Sequence, residues 1–214
     1  LIQNKRENPE KELEASVGGP VSFQAFQRLM NGIPGKRQNV ALDFLFSQLD
    51  KDGIRPLRFT INGIDNINEV LAVVGKLPSN QALIYCLQQY IDGRLQLECI
   101  VKDREEKVDL KEYPCRLRLA SEVKLGDDEI ASLIQSISMK DSGQIFFRFK
   151  ERFSKKLDDK NVFQLDATIV KSSPLIGTLM AEPSSYEVEF EFNKPTTVDN
   201  FTKMLEWILC NMYH

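Results

Sequence analysis

Five stretches of the chain alternate between apolar and polar or charged side chains, with Ala120, Ser121 and Glu151 as the exceptions. From Glu12, the residues Leu13, Ala15 and Val17 alternate with Glu12, Glu14 and Ser16. From Cys115 to Leu125 the apolar positions Cys115, Leu117, Leu119, Val123 and Leu125 alternate with Arg116, Arg118, Glu122 and Lys124. Phe147, Phe149 and Phe153 alternate with Arg148, Lys150 and Arg152, and Phe163, Leu165, Ala167 and Ile169 alternate with Gln164, Asp166 and Thr168. In the last stretch Val188, Phe190 and Phe192 alternate with Glu187, Glu189 and Glu191. Side chains two apart share a face of a strand, so each stretch predicts a strand with one apolar and one charged face.

Helical spacing of apolar residues occurs in four places. Phe23, Phe26, Leu29 and Met30 follow Ser22, a good N-cap; Ile67, Val70, Leu71 and Val74 form a second set. Ile130, Leu133, Ile134 and Ile137 follow the acidic Asp127–Glu129, and Val198, Phe201, Leu205, Ile208 and Met212 follow Thr196 and Thr197. Each predicts a one-sided helix packed on something larger, while Leu83 to Ile91 fits either period. The charged runs Asp103–Lys107 and Lys155–Lys160 read as hairpin tips. No repeat, linker or low-complexity stretch divides the chain, which reads as one domain, residues 1–214.

The charged faces admit two readings. One is an antiparallel sheet with a core face and a wet face. The other is a closed eight-stranded barrel whose charged faces point inward and whose apolar faces are covered by peripheral helices, an α+β, mostly antiparallel fold. The faces hold Glu12, Glu14, Glu122, Asp166, Glu187, Glu189 and Glu191 against Arg116, Arg118, Lys124, Arg148, Lys150 and Arg152. Acids stacked at alternate positions repel one another unless a cation sits among them, and this favours the barrel. Such a lumen suits a hard cation, Mg²⁺ or Mn²⁺, on its carboxylates and a polyanion on its bases.

Composition narrows the chemistry. The chain has 214 residues, 42% of them hydrophobic, with 28 Lys and Arg against 31 Asp and Glu. With a net charge of only -3, it exerts no global pull on a polyanion, which must be met by a local basic cluster. The one histidine is His214, the last residue, so mechanisms that need an imidazole within the fold are excluded. The four cysteines, Cys86, Cys99, Cys115 and Cys210, include no CxxC and read as reduced, buried thiols of an intracellular protein. None is followed by Arg at the sixth position, which excludes a cysteine-phosphatase loop. Gly32–Lys36 reads as a turn, because Met30 stands where a P-loop needs its first glycine. No apolar run is long enough to span a membrane. The start at Leu1 suggests a piece trimmed from a longer protein.

The motifs resemble those of the triphosphate tunnel metalloenzymes, and within them the metal-dependent RNA 5′-triphosphatases of fungal, protozoal and large-DNA-virus mRNA capping systems. The opening ExE strand with its following Gly is matched by Glu12, Glu14 and Gly18, and the closing ExExE strand by Glu187, Glu189 and Glu191. The Arg-x-Lys-x-Arg strand is matched by Arg148, Lys150 and Arg152, the Asp-x-Thr strand by Asp166 and Thr168, and an earlier basic strand by Arg116 and Arg118. These matches run in the family's order over nearly the whole chain. Two positions depart from related patterns. Ser16 stands where the adenylyl cyclase and thiamine triphosphatase branch has lysine, and Gln164 stands where the fungal pattern has a base.

The resemblance implies removal of the γ-phosphate from 5′-triphosphate RNA, the first step of mRNA capping, with divalent-metal-dependent hydrolysis of nucleoside triphosphates beside it. It implies that Glu12, Glu14 and Glu191 hold one divalent cation. It assigns the phosphates to Arg116, Arg118, Arg148, Lys150 and Arg152, the attacking water to Glu189, and the holding of bases to Glu187 and Asp166. Thr168 is readable as a substrate contact or as an ordinary strand residue, Glu122 and Lys124 as a solvated ion pair, and Trp207 as a packing or surface residue. Arg58 and Lys102 are further candidate bases. The implied partners are the triphosphate end of nascent RNA, a nucleoside triphosphate and a linked or associated guanylyltransferase, inside the cell and, for a viral protein, in the host cytoplasm or virion. The alternatives are a tripolyphosphatase or nucleotidase of the same family, or a non-catalytic β-rich subunit of a capping complex.

Overall fold

The computed structural model describes residues 1–8, 11–50, 53–139, 144–160 and 162–214, and for 48–50, 53–55, 102–105 and 138–139 the backbone alone. Along the chain the elements are α1 (Ile2–Glu7), β1 (Glu12–Val17), α2 (Phe23–Gly32), β2 (Lys36–Asp50), β3 (Gly53–Asn62), α3 (Ile64–Val74) and α4 (Ser79–Ile91). They continue with β4 (Glu98–Leu110), β5 (Cys115–Lys124), α5 (Asp127–Met139), β6 (Ile145–Lys156), β7 (Phe163–Ser173), a 3-10 turn (Ile176–Ala181), β8 (Ser185–Phe192) and α6 (Val198–Tyr213). The strands close into a barrel in the order β1-β5-β4-β3-β2-β6-β7-β8, every pair antiparallel.

The alternation read from the sequence decides which face points where. Leu13, Leu117, Leu119, Leu165, Val188, Phe190 and their like turn outward and are buried under α2 and α6, which add Phe26, Leu29, Phe201 and Leu205. On the opposite side of the barrel Leu42, Phe44, Phe59, Ile61 and Phe147 pack under α3, α4 and α5. The protein therefore has two hydrophobic cores, both between barrel and helices, and the lumen is left to the polar faces. Helix ends match the cap residues: the Ala25 N–H donates to Ser22 Oγ at 3.2 Å, and the Asn200 N–H donates to Thr197 Oγ1 at 3.3 Å.

Several elements differ from their sequence reading. The ambiguous Leu83–Ile91 segment is the second half of α4, with Leu83, Cys86 and Leu87 buried. Strands β2, β3 and β4 and the short α1 were not foreshadowed. In β2 apolar residues occupy both faces, with Ala41 buried beside Val40 and Leu42, and this hides the period of two. The run Asp103–Lys107 lies within β4 rather than at a tip; β4 turns into β5 only after Leu110. The second charged run does reach a tip, since β6 ends at Lys156. Cys86, Cys99 and Cys115 are buried free thiols, but Cys210 is exposed. Among the described residues no helix is long and apolar enough to cross a membrane.

Phe44 is fully buried and meets the Phe147 ring edge-on at 5.2 Å, joining neighbouring strands β2 and β6 on the outer face. Phe44→Ala is expected to lower unfolding stability by about 3–5 kcal/mol, read as a reduced urea midpoint at unchanged slope.

Candidate active site

Strand β6 carries the basic wall of the lumen, and each of its three bases is tied to a carboxylate from another strand. Arg148 donates to Glu187 of β8 at 2.6 Å, Lys150 lies 2.5 Å from Asp43 of β2, and Arg152 lies 3.2 Å from Asp166 of β7. Two of these ties are diagonal across a ladder: Lys150 pairs in register with Ala41, and Arg152 with Thr168, so each base reaches the residue two further along the neighbouring strand. Asp43 and Asp166 are 1% and 0% exposed, and each faces a base of β6. Asp43 also accepts from the Thr60 hydroxyl at 2.9 Å. Burial pulls the Lys150 ammonium below the ordinary lysine range, and the Asp43 charge opposes that pull. Burial acts on Arg152 in the same sense, but Asp166, Glu189 and Glu191 outweigh it and raise its pKa.

Strands β1 and β8 carry the acidic wall. Glu14 sits in register between Arg118 of β5 and Glu191 of β8, and its carboxylate accepts from Arg118 at 3.2 Å. Glu191 in turn lies opposite Gln164, and Glu189 lies between Ser16 and Asp166. Burial pushes the Glu191 carboxyl up to about 7; the charges of Asp166, Glu12 and Glu189 push the same way, and Arg152 pulls against them. Gln164 spans two of these acids, donating to Asp166 at 3.1 Å and to Glu191 at 3.4 Å.

The two walls enclose a cavity of about 810 Å³. Glu12, Glu14, Glu187, Glu189, Glu191, Arg116, Arg118, Arg148, Lys150, Arg152 and Thr168 all line it, so every site residue expected from the motifs is there except Asp166. Asp166 sits behind the wall and can act on a lumen ligand only through a neighbour such as Arg152. Thr168 is 2% exposed, and its hydroxyl is buried with no hydrogen-bond partner among the described residues. Arg116 stands at the mouth, where Asp109 holds its guanidinium with two hydrogen bonds. A second chamber of about 130 Å³ lies beyond Arg58, Lys150 and Arg152, which line both spaces.

The sequence reading missed Asp43, whose signal was there: it is the one charge in the apolar run Val40–Phe46. Arg58, named only as a candidate, lines the cavity and donates to Glu122 at 3.1 Å. Glu122 thus lines the cavity and meets Arg58 of β3, while it stays exposed to solvent. Lys102 pairs with Glu122 in the β4–β5 register, and its side chain lies outside the described residues.

The donor chemistry of the acidic wall fits a hard cation. Its groups are carboxylate oxygens, Glu14 and Glu191 are direct cross-strand partners, and Glu191 is raised first by burial and then by the neighbouring acids, whose charge a cation would relieve. Among the described residues, no three acids, cysteines or histidines are drawn together closely enough to form a cage by themselves. Such a site fits an ion that keeps much of its coordination for water or substrate oxygens.

The raised Glu191 also has a thermodynamic consequence. Between about pH 4.5 and pH 7 the folded chain holds a proton on Glu191 that the unfolded chain has lost. This group's effect on stability is therefore unfavourable as pH rises through that window, and fully so above it. Glu191→Gln, measured with chelator present, is expected to raise Tm more at pH 8 than at pH 5. An equal change at both values would remove Glu191 as the strained carboxylate.

No family model matches the chain. A relative described as a probable mRNA-capping enzyme, from Acanthamoeba polyphaga mimivirus, is 27% identical over 136 residues; the match covers 63% of this chain and only 11% of that relative's length. Two structures described as the triphosphatase of the mimivirus capping enzyme, one of them as its RNA triphosphatase domain, superpose with TM-scores of 0.76 each, at 20% and 21% identity. Each superposition covers 100% of this chain and 94% of the other. The tunnel fold expected from the motifs is thus borne out, and the resemblance drawn from them points to the same proteins: over its whole length this chain has the fold of the mimivirus capping-enzyme triphosphatase.

Proposed function

We propose that the lumen hydrolyses the γ-phosphate of 5′-triphosphate RNA, leaving a diphosphate end and inorganic phosphate, as the first step of mRNA capping, and that it also hydrolyses nucleoside triphosphates. The observation that carries this reading is the pairing of a basic wall on β6 with an acidic wall on β1 and β8 across one closed cavity. The similarity to a triphosphatase of the same fold supports it. A triphosphate is a chain of anionic groups, and a row of bases along one strand matches that repeat.

Glu12, Glu14 and Glu191 would hold one divalent cation, Mg²⁺ or Mn²⁺, which when bound supplies neutralising charge between the carboxylates and the γ-phosphate. Arg148, Lys150, Arg152 and Arg118 bind the phosphate oxygens and stabilise the charge that develops on them, with Arg116 receiving the chain at the mouth. Glu189 accepts a hydrogen bond from the attacking water and points its oxygen at phosphorus, while the bond from phosphorus to the bridging oxygen breaks. Glu187, Asp43 and Asp166 keep Arg148, Lys150 and Arg152 in place, so the donors need not reorganise when substrate arrives. Thr168 gives its free hydroxyl to a phosphate oxygen. Residues 1–214 act as one triphosphatase domain of a longer intracellular capping enzyme, with a guanylyltransferase linked or associated; if the source is viral, the setting is the host cytoplasm or the virion.

The test is phosphate release from γ-labelled triphosphate RNA and from ATP, with Mg²⁺, Mn²⁺ or chelator. Release that requires metal, and that Glu12→Ala and Glu191→Ala each reduce by orders of magnitude with unchanged circular dichroism, is the expected result. No release with any metal would move the chain to a non-catalytic subunit.

Asp43 gives a second test. Removing its charge leaves burial unopposed at Lys150, whose pKa falls further. Asp43→Asn is expected to shift the alkaline limb of the rate profile to lower pH. An unshifted limb would mean that Lys150 is not used as a cation.

A further inference from the structure

The mouth of the lumen carries aromatic surface that phosphate chemistry does not require. The β1–β8 ladder contains Glu14–Glu191, Ala15–Phe190 and Ser16–Glu189 and then stops, although β8 extends to Ser185. Past that point the two chains part. On one wall, Val17 leads into Gly18, whose N–H donates to the Pro114 carbonyl, and then into Gly19, which takes φ 75°, a left-handed backbone that suits glycine. On the other wall stand Tyr186, Glu187 and Val188. Tyr186 and Val188 belong to the outward, apolar face of β8, yet both line the main cavity, as Val17 does, because the strands separate here. The lumen therefore opens sideways into a cleft with one aromatic wall.

Behind Tyr186 lie two phenylalanine rings, Phe26 at 4.8 Å and Phe23 at 5.6 Å. Phe26 is buried in the core, but Phe23, the first residue of α2, is 57% exposed, and the residues α2 buries are Ala25, Phe26 and Leu29. Phe23 does not line the cavity itself; its ring backs Tyr186, whose ring does, and an aromatic ring lining a charged cavity is a place for a flat partner. The adjoining Glu187 holds Arg148, one end of the basic row, so the aromatic pair stands one residue from the phosphate-binding wall.

We propose that this cleft seats the first nucleoside of the triphosphate substrate, its base stacking on the Tyr186 ring, which Phe23 backs. This rests on the triphosphatase reading and adds to it: Tyr186 and Phe23 are what distinguish a nucleotide or RNA end from inorganic tripolyphosphate, which has no base to stack. Stacking of a base on an aromatic side chain is sequence-tolerant, because every base has a π-face, so the cleft accepts any first nucleotide.

The test compares triphosphate RNA, ATP and tripolyphosphate as substrates for the wild type, Phe23→Ala and Tyr186→Leu. Phe23 is exposed, so its variant should keep the fold; Tyr186→Leu keeps apolar bulk against Phe26. The expected result is a KM for RNA and ATP raised about fivefold or more in each variant, with KM for tripolyphosphate unchanged. Equal changes on all three substrates, or none, would overturn the proposal. Calorimetric binding of ATP and of tripolyphosphate to the same proteins asks the question without turnover. Selective loss of ATP binding supports the cleft even in a chain that hydrolyses nothing, and equal loss refutes it even in an active one.

Discussion

Lys150–Asp43 and Arg152–Asp166 are the contacts on which the lumen depends. Each places a carboxylate with almost no solvent contact against a base on the neighbouring strand. Removing two charges from water is costly, and their attraction in the interior roughly offsets the cost only when geometry is good. Such pairs are weak devices for stability: a pair of well-packed apolar residues would serve as well or better. They make sense as devices for position. A guanidinium has five N–H donors, and one whose charge is matched by the nearby Asp166 carboxylate keeps its donors for the lumen. The carboxylate behind each base thus sets its direction before any anion arrives, which is the preorganisation that electrostatic stabilisation needs.

Filling the lumen with charge forces the rest of the architecture. A barrel of this size commonly buries side chains inside itself, but here the interior is polar and the apolar faces turn outward. Two separate cores result, one beneath α2 and α6 and one beneath α3, α4 and α5. The helices supply the apolar partner without which the strands could not bury their outer faces. This explains why loss of a ring such as Phe44 would be felt in stability while the lumen's charges would be felt in chemistry. The two functions of each strand are divided between its two faces.

That division also explains what the sequence made legible. Wherever one face is largely apolar and the other largely polar, as in β1, β5, β6, β7 and β8, the period of two is plain, and those strands carry the acidic wall and most of the basic wall. Twelve of the thirteen motif residues therefore fell on the cavity that the fold encloses. Strand β2 was hidden because Ala41 and Leu45 put apolar groups on its inward face, leaving Asp43 as an isolated acid whose partner, Lys150, is 107 positions away in number but adjacent in space. The functions of Glu122 and Arg58 were obscured for a related reason. A charge near a strand end looks solvated until closure of the barrel brings another strand opposite it. Tyr186 lies on the outward, apolar side of β8 by its alternation, and only the parting of β1 from β8 turns it towards the cavity. Pattern reveals faces; register and closure decide who meets whom.

Gln164 shows how the two walls are kept distinct where they meet. Its amide hydrogen-bonds to Asp166, which serves the basic wall, and to Glu191, which belongs to the acidic one. A lysine or arginine there would neutralise part of that charge and satisfy the acids internally. A neutral amide fixes both carboxylates without cancelling either, so the neighbouring acids still add to the burial that raises Glu191. Asp166 already has Arg152 as its counter-charge. The residual demand therefore falls on the Glu191 side, next to its cross-strand partner Glu14. The departure of this position from a base thus does not simply delete a phosphate contact; it concentrates negative charge where a divalent cation would be held.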